Sequence, residues 1–233
     1  MFERYKVNIR LENMGEEGQR RLSSSSLLIV GAGALGGTAA MYAAASGIGK
    51  ILIADFDTVD ISNLQRQVFF RTKDKGLNKA SLIAESIREL NPGVEVEVIP
   101  ERFDEENADE IVKNADFIID AADNPATTYL IEKTAMESGK PYVTAGVAGY
   151  HAQIFTHLPG DLNFTDLFPP VSSEEYVLPS RREGVFGPLT GMVASIQAGE
   201  AVKYLSGCAP TLSGNLLLID LAKNLFQKLK VES

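Results

Sequence analysis

The segment Leu27–Val30 followed by Gly31-Ala32-Gly33-Ala34-Leu35-Gly36 constrains this chain more than any other feature. Four apolar residues read as a buried strand and the glycines as a tight turn. The residues after the turn read as a helix start whose free N–H groups face a phosphate. Gly31 permits the turn, Gly33 lets backbone approach a ligand, and Gly36 lets helix and strand pack closely. A second apolar strand, Lys50 to Ala54, delivers Asp55 and Asp57 to the place where a carboxylate meets a ribose. The glycines alone do not separate a dinucleotide enzyme from a nucleotide-triphosphate enzyme; the residues after Asp57 do.

At 233 residues and 45% hydrophobic content the chain suits one large α/β domain spanning 1–233, with enough apolar mass for a core. It carries 22 basic and 31 acidic residues, a net charge of -9, which disfavours nonspecific binding to nucleic acid or an anionic membrane. Cys208 is the single cysteine, so neither an internal disulfide nor a multi-cysteine zinc site is expected, and a reducing compartment is. No apolar signal segment comes after Met1-Phe2-Glu3-Arg4-Tyr5-Lys6. The longest apolar stretch, Gly31 to Gly47, is broken by glycines and does not read as a membrane span. These features predict a cytoplasmic protein with no membrane partner.

Residues 3–22 predict one or two short helices interrupted at Gly15 and Gly18, with Ser23 to Ser26 as a polar junction. Alanine-rich Leu35 to Ser46 predicts a helix packed tightly on a sheet and stopped by a left-handed Gly47. Thr58 to Asp74 is polar and aperiodic, the pattern of a long functional loop with short helical turns. Leu77, Ala80, Ile83, Ala84, Ile87 and Leu90 recur at helical spacing; Asn91-Pro92-Gly93 stops that helix, and Val94 to Ile99 alternates like a half-exposed strand. A short acidic helix over 104–114 precedes the apolar strand Ala115 to Asp120, with Asp123 just beyond it. Pro125 opens a helix that runs through Ser138. Pro141 to Ala145 and Gln153 to Thr156 read as strands, 157–186 as a crossover loop, Pro188 to Leu205 as a helix and Leu216 to Ile219 as the last strand. The expected fold class is α/β, a Rossmann-like three-layer fold with a mostly parallel sheet extended by late antiparallel strands.

The run Asp55-Phe56-Asp57-Thr58-Val59-Asp60-Ile61-Ser62-Asn63-Leu64-Gln65-Arg66-Gln67 resembles the family that activates ubiquitin-like proteins. That family includes the bacterial adenylyltransferases of molybdopterin and thiamine synthesis. The resemblance continues in order through Gly76-Leu77-Asn78-Lys79-Ala80, Asp120-Ala121-Ala122-Asp123-Asn124 and Gly184-Val185-Phe186-Gly187-Pro188-Leu189. It implies that ATP and magnesium are used to adenylate the C-terminal Gly-Gly carboxylate of a small ubiquitin-like sulfur-carrier protein, releasing pyrophosphate. In that comparison Gly31, Gly33, Ala34 and Gly36 match the nucleotide loop and Asp55 the ribose acid, with Asp57 and Asn124 beside the nucleotide. Asn63, Arg66 and Lys79 match the polar set around the phosphates, and Asp123 the magnesium-side aspartate. The resemblance also implies a homodimer, with a crossover loop near 160–183 lying over the carrier's tail.

The chemistry asks for these residue types. A carboxylate attacking the α-phosphate approaches another anion, so cations and hydrogen-bond donors must offset repulsion and hold an in-line geometry. Arg66 offers a planar fork and Lys79 a mobile point charge. Magnesium takes one or two carboxylates plus phosphates, a role that suits Asp123. No general base is needed, because the attacking carboxylate is already ionised. Each residue also has a plainer reading. The glycines suit a turn with no nucleotide, Asp55 a cap on the next turn, Arg66 a surface ion pair and Lys79 a solvated helix face. Asp120 and Asp123 each suit a cap for the helix at Pro125.

Two departures from the resembled pattern stand out. Relatives carry an arginine in an Arg-Tyr-x-Arg motif that reaches the partner's ATP; here Val7 occupies its place, and Lys6 or Arg10 is the candidate replacement. Many relatives also hold zinc with two Cys-x-x-Cys pairs. This chain has neither, and His151, His157 and Cys208 make no replacement, so no zinc is expected. Ser180, Arg181, Arg182 and Glu183 stand where some relatives place a reactive cysteine, which argues against a covalent thioester or persulfide step, and Cys208 reads as structural or incidental. Two alternatives remain open. One is ATP-dependent activation of a tRNA-linked or small-molecule carboxylate; the other is a nucleotide-binding scaffold with weak or no catalysis.

Overall fold

The computed structural model describes residues 2–170 and 182–231. One eight-stranded sheet organises them: β1 Ser26–Val30, β2 Lys50–Ala54, β3 Glu95–Ile99, β4 Phe117–Asp120, β5 Tyr142–Ala148, β6 His151–His157, β7 Asn215–Asp220 and β8 Leu225–Lys230. The spatial order is β3-β2-β1-β4-β5-β6-β7-β8. The first five strands run parallel, and from β5 onward each pairing is antiparallel. The expected α/β fold with a parallel sheet extended by antiparallel strands is therefore the fold observed.

Period-two alternation in β1 explains the three layers. Leu27 and Ile29 point into a core with α3 (Ala34–Ser46), α4 (Lys79–Leu90) and α8 (Gly187–Ser206). Leu28 and Val30 point into a second core with α5 (Ala108–Lys113) and α6 (Pro125–Glu137). All four side chains are buried, each contributing about 1.5–3 kcal/mol of apolar transfer. Alanines 39, 40, 43 and 44 bring α3 close to its neighbours, and Gly47 ends it at φ 89°. The remaining helices are α1 Lys6–Ile9, α2 Gly15–Ser23 and the short α7 Phe164–Leu167.

Several boundaries differ from the sequence expectations. Leu77 is outside α4 and 51% exposed; Asn78 caps the helix by accepting from the Ser81 N–H, so Lys79 is its first residue. Gly18 does not interrupt α2 but sits inside it, against Met14 and the backbone of Ser206. Residues 104–107 form a turn ahead of α5 rather than its first turn. β5 and β6 extend beyond Ala145 and Thr156 because they pair with each other along their whole length. Leu216–Ile219 lies in β7, but β7 is not the last strand. β8 comes after it, exposed along its length, so no buried face marks it in the sequence. Of the expected crossover loop 157–186, His157 closes β6 and Phe164–Leu167 is helical, while 171–181 lie outside the described residues.

Candidate functional site

The C-terminal ends of the parallel strands open into a cleft of about 1470 Å³. This is where ligands gather on open parallel sheets. Gly31 takes φ 99°, and a Cβ there would stand 2.5 Å from the Ala121 carbonyl oxygen, so only glycine makes the turn out of β1. At Gly36 a Cβ would fall 1.7 Å from the Gly31 carbonyl oxygen, which seats the first turn of α3 directly on the loop. The contact at Gly33 is not legible in the sequence. Its Cβ position faces the amide of Gln67, 3.3 Å away, so the 61–70 loop rests on the glycine turn. Gln67 is buried, and its side-chain carbonyl has no partner among the described residues.

Asp55 is fixed beneath this turn. Its Oδ2 accepts the Ala32 N–H at 2.6 Å and its Oδ1 the Asp57 N–H at 2.8 Å. Burial pushes its carboxyl above the usual range, and those two N–H donors oppose the shift. Asp55 thus does both things the sequence allowed: it caps the turn that follows, through the Asp57 N–H, and it braces the glycine loop through the Ala32 N–H. Lys79 is no solvated helix face. Its side chain is 7% exposed, and its ammonium lies 3.0 Å from Asp57 Oδ2, a carboxylate half open to the cleft. The Lys79 N–H also donates to the Asp57 carbonyl, so backbone and side chain both tie α4 to the end of β2.

Arg66 lines the cleft, with its guanidinium donating, among the described residues, only to the Ser62 carbonyl at 3.3 Å. Asn63 does not line it. Its carbonyl accepts the N–H groups of Arg66 and Gln67 and so shapes the turn that presents Arg66. Gly36 is likewise behind the wall, whereas Gly31, Gly33 and Ala34 are on it. Across the cleft, Asn124 caps α6 through the Thr127 N–H at 2.9 Å, with Pro125 beginning the helix. Neither Asp123 nor Asp120 is that cap. Asp123 is exposed on the cleft wall with no hydrogen bond or ion pair among the described residues. Asp120 is buried, accepting from the Thr144 hydroxyl at 2.7 Å and the Ala122 N–H at 3.0 Å, while its carbonyl accepts from Gln197 at 2.7 Å. Burial raises its carboxyl above the ordinary range, against those donors. It is a joint between β4, β5 and α8, and Gln197, a buried polar residue on α8, gives no sign of this in the sequence.

The cleft continues past the nucleotide-sized end along β5 to β8, where Gly146 and Ala148 stand opposite Gln153 and His151 in register. At the N-terminus, Val7 is 73% exposed, and Lys6 pairs with Glu3. Neither Lys6 nor Arg10 lines the cleft of its own chain. His157 is buried with a ring nitrogen 3.1 Å from the Leu162 carbonyl, His151 lies 3.6 Å from Asp220, and Cys208 is a free, half-buried thiol. Among the described residues no group of three or more His, Cys, Asp or Glu is placed to hold a metal ion. Arg182 pairs with Glu183; Ser180 and Arg181 lie outside the described residues. No helix among the described residues is long and apolar enough to cross a membrane.

The model of the ThiF family matches residues 5–233. Among curated proteins, the chain is 39% identical over 236 residues to the sulfur carrier protein adenylyltransferase of Thermus thermophilus, covering 99% of this chain and 87% of that one. It is 39% identical to the SAMP-activating enzyme E1 of Haloferax volcanii, covering 94% and 81%. It is 35% identical to a probable molybdopterin-synthase adenylyltransferase of Gracilaria tenuistipitata, of which it spans 65%. Among solved structures, PaaA superposes at TM-score 0.82 and 26% identity over 99% of this chain and 73% of that one. E. coli MccB gives TM-score 0.82 over 93% of this chain and 64% of its own, at 22% identity, a likeness of fold.

Proposed function

This chain belongs to the ThiF family, and from that premise we propose that it uses ATP to adenylate the C-terminal carboxylate of a small ubiquitin-like sulfur-carrier protein. It is an adenylyltransferase, and its reaction exchanges pyrophosphate for the carrier's carboxylate at the α-phosphate. One observation carries the reading: Gly33, Asp55, Arg66, Lys79 and Asp123, from five separate segments, line one cleft at the ends of parallel strands. A dinucleotide enzyme has no use for two cations and a carboxylate without a partner among the described residues gathered in the same cleft as the glycine turn.

Each residue has a task that its environment supports. The N–H groups at the start of α3 face the phosphates, where the helix dipole favours negative charge. Asp55 gives two lone pairs to backbone and keeps others for the ribose hydroxyls. Arg66 and Lys79 draw the phosphate oxygens away from the approaching carboxylate, which lowers the repulsion between two anions in the transition state. Asp123, exposed and without a partner among the described residues, would hold a magnesium ion, which would supply charge neutralisation at the phosphates. The small residues Gly146 and Ala148 leave room along β5 for an extended Gly-Gly tail to reach that point. The described part of the 157–186 crossover lies at the same end, with Phe168 and Pro169 on the cleft wall.

The protein works as a homodimer in which Lys6 or Arg10 of one subunit approaches the partner's phosphates, and it acts in the cytoplasm, where ATP is supplied. The test is exchange of labelled pyrophosphate into ATP. Exchange must require magnesium and a carrier with an intact Gly-Gly terminus. Exchange that is indifferent to truncation of that tail, or absent with every tail-bearing carrier, overturns the reading.

A further inference from the structure

Glu132, on α6, is 2% exposed and takes no part in the chemistry above. Its Oε1 accepts the Thr165 N–H at 3.0 Å and the Thr165 hydroxyl at 3.1 Å. Its Oε2 is buried with no hydrogen-bond partner among the described residues, and no cation among them pairs with the carboxylate. Burial and the Glu132 charge together push the nearby Tyr142 phenol above its ordinary range. A carboxylate buried with one satisfied oxygen and one orphan is costly. Its place calls for a task that apolar packing does not perform.

What Glu132 holds defines that task. The single turn α7 is too short to be stable alone, so its order depends on what ties it down. The Phe164 N–H donates to the Tyr142 hydroxyl at 3.4 Å, Thr165 donates to Glu132, and the Tyr129 hydroxyl donates to the Phe168 carbonyl at 3.3 Å. Tyr129 and Glu132 stand three residues apart, on one face of α6. The Phe164 ring sits among those of Tyr129, Phe155 and Phe168, with centroids 4.9 to 6.4 Å away. The same helix begins at Asn124, beside Asp123, and Glu132 follows about 12 Å along its axis. One rigid element thus spans from the phosphate end of the cleft to the base of the crossover.

We infer that Glu132 is a latch that holds the base of the crossover, residues 158–168, on α6 and so fixes its distance from the phosphates. The inference rests on the adenylation reading above and adds to it a positioning residue for the carrier's tail. Glu132 acts through Thr165 and touches neither nucleotide nor tail. The latch is releasable. When α7 lifts, water reaches both Glu132 oxygens and offsets the lost bonds, so the segment opens locally while the sheet stays folded.

The experiment uses the full chain as wild type, Glu132→Leu, Glu132→Gln and Thr165→Val. It combines amide hydrogen exchange with pyrophosphate exchange in which ATP and carrier are titrated separately. Glu132→Leu should speed amide exchange across 158–168 about tenfold or more, the loss of bonds to a charged group, and leave β1 and β4 unchanged. Thr165→Val, which loses only the hydroxyl bond, should show a smaller rise in the same segment. Glu132→Gln keeps an acceptor and should stay close to wild type. The carrier KM should rise about tenfold in Glu132→Leu, with the ATP KM unchanged. Faster exchange in every strand makes Glu132 a general packing residue and overturns the inference. So does glutamine behaving like leucine, carrier and ATP KM rising together, or unchanged exchange over 158–168. If Glu132→Leu does not fold, Thr165→Val decides, and wild-type exchange over 158–168 in that variant overturns the latch. If wild-type pyrophosphate exchange fails with every carrier, the adenylation reading falls, and amide exchange alone still decides the latch.

Discussion

Replacing Lys79 with methionine separates the chemistry of the cleft from its architecture. Methionine keeps the length and bulk of the buried stem and removes only the ammonium. The structural loss is one charge-assisted contact, 3.0 Å to Asp57, between a side chain 7% exposed and one 50% exposed. Asp57 keeps its water, and removal of the ammonium also relieves the cost of burying it, so the net change in stability is about 0–1 kcal/mol. For a chain of this size that moves Tm by no more than about 4 °C. The loss in the reaction is larger. A cation held against the phosphates acts like a fixed oxyanion donor, worth about 2.7–4 kcal/mol in the transition state, or a factor of about 10²–10³ in turnover. Pyrophosphate exchange at saturating ATP and carrier, with thermal unfolding of the same preparations, measures both. Exchange within tenfold of wild type at a native Tm would show that Lys79 does not meet the phosphates. A large fall in Tm would show instead that its tie to Asp57 holds up the end of β2.

Asp123→Ala should abolish most exchange, about a hundredfold or more, with Tm within a few degrees of wild type, because the carboxylate has no partner to lose among the described residues; unfolding of this variant sinks the metal-side role. Asn124→Ala should cost about 1 kcal/mol in thermal unfolding through the lost cap on α6, and an unchanged Tm would contradict the 2.9 Å bond to Thr127. Asp120 has a folded-state carboxyl raised above its unfolded value, so its charged form is disfavoured by folding. As pH falls toward the ordinary carboxylate range of the unfolded chain, the wild type should gain stability relative to Asp120→Asn, and a pH-independent difference in Tm refutes this. Lys6→Ala or Arg10→Ala should lower exchange about a hundredfold, and mixing either with Asp123→Ala should restore one site per dimer; two fully active single variants would show that no charge is supplied in trans.

The sequence announces the cleft better than it announces what supports it. Glycine spacing, the apolar strands and the ordered polar run bring Asp55, Arg66, Lys79 and Asp123 to one place because backbone geometry at a parallel-strand end leaves few alternatives. The helix-cap reading of Asp120 and Asp123 fails because several nearby polar positions each satisfy a capping rule, and only the backbone decides that Asn124 takes the part. Gln67 and Gln197 are invisible for a different reason. Each is a single amide in its own segment, and each gains meaning only from a carbonyl or glycine brought beside it by tertiary packing. β8 escapes notice because an exposed edge strand carries no hydrophobic periodicity to read.

The 1.7 Å gap between the Cβ position of Gly36 and the Gly31 carbonyl has a further consequence. Helix and loop touch through bare backbone, so the loop's shape is dictated by packing and not by an occupant. The entropy of ordering those residues is surrendered once, when the chain folds, and not again at each catalytic cycle. A nucleotide therefore meets a rigid receptor, in which the Gly31 and Ala32 N–H groups are already committed to Ala54 and Asp55. Release of a nucleotide returns no disorder to that loop that would favour letting go.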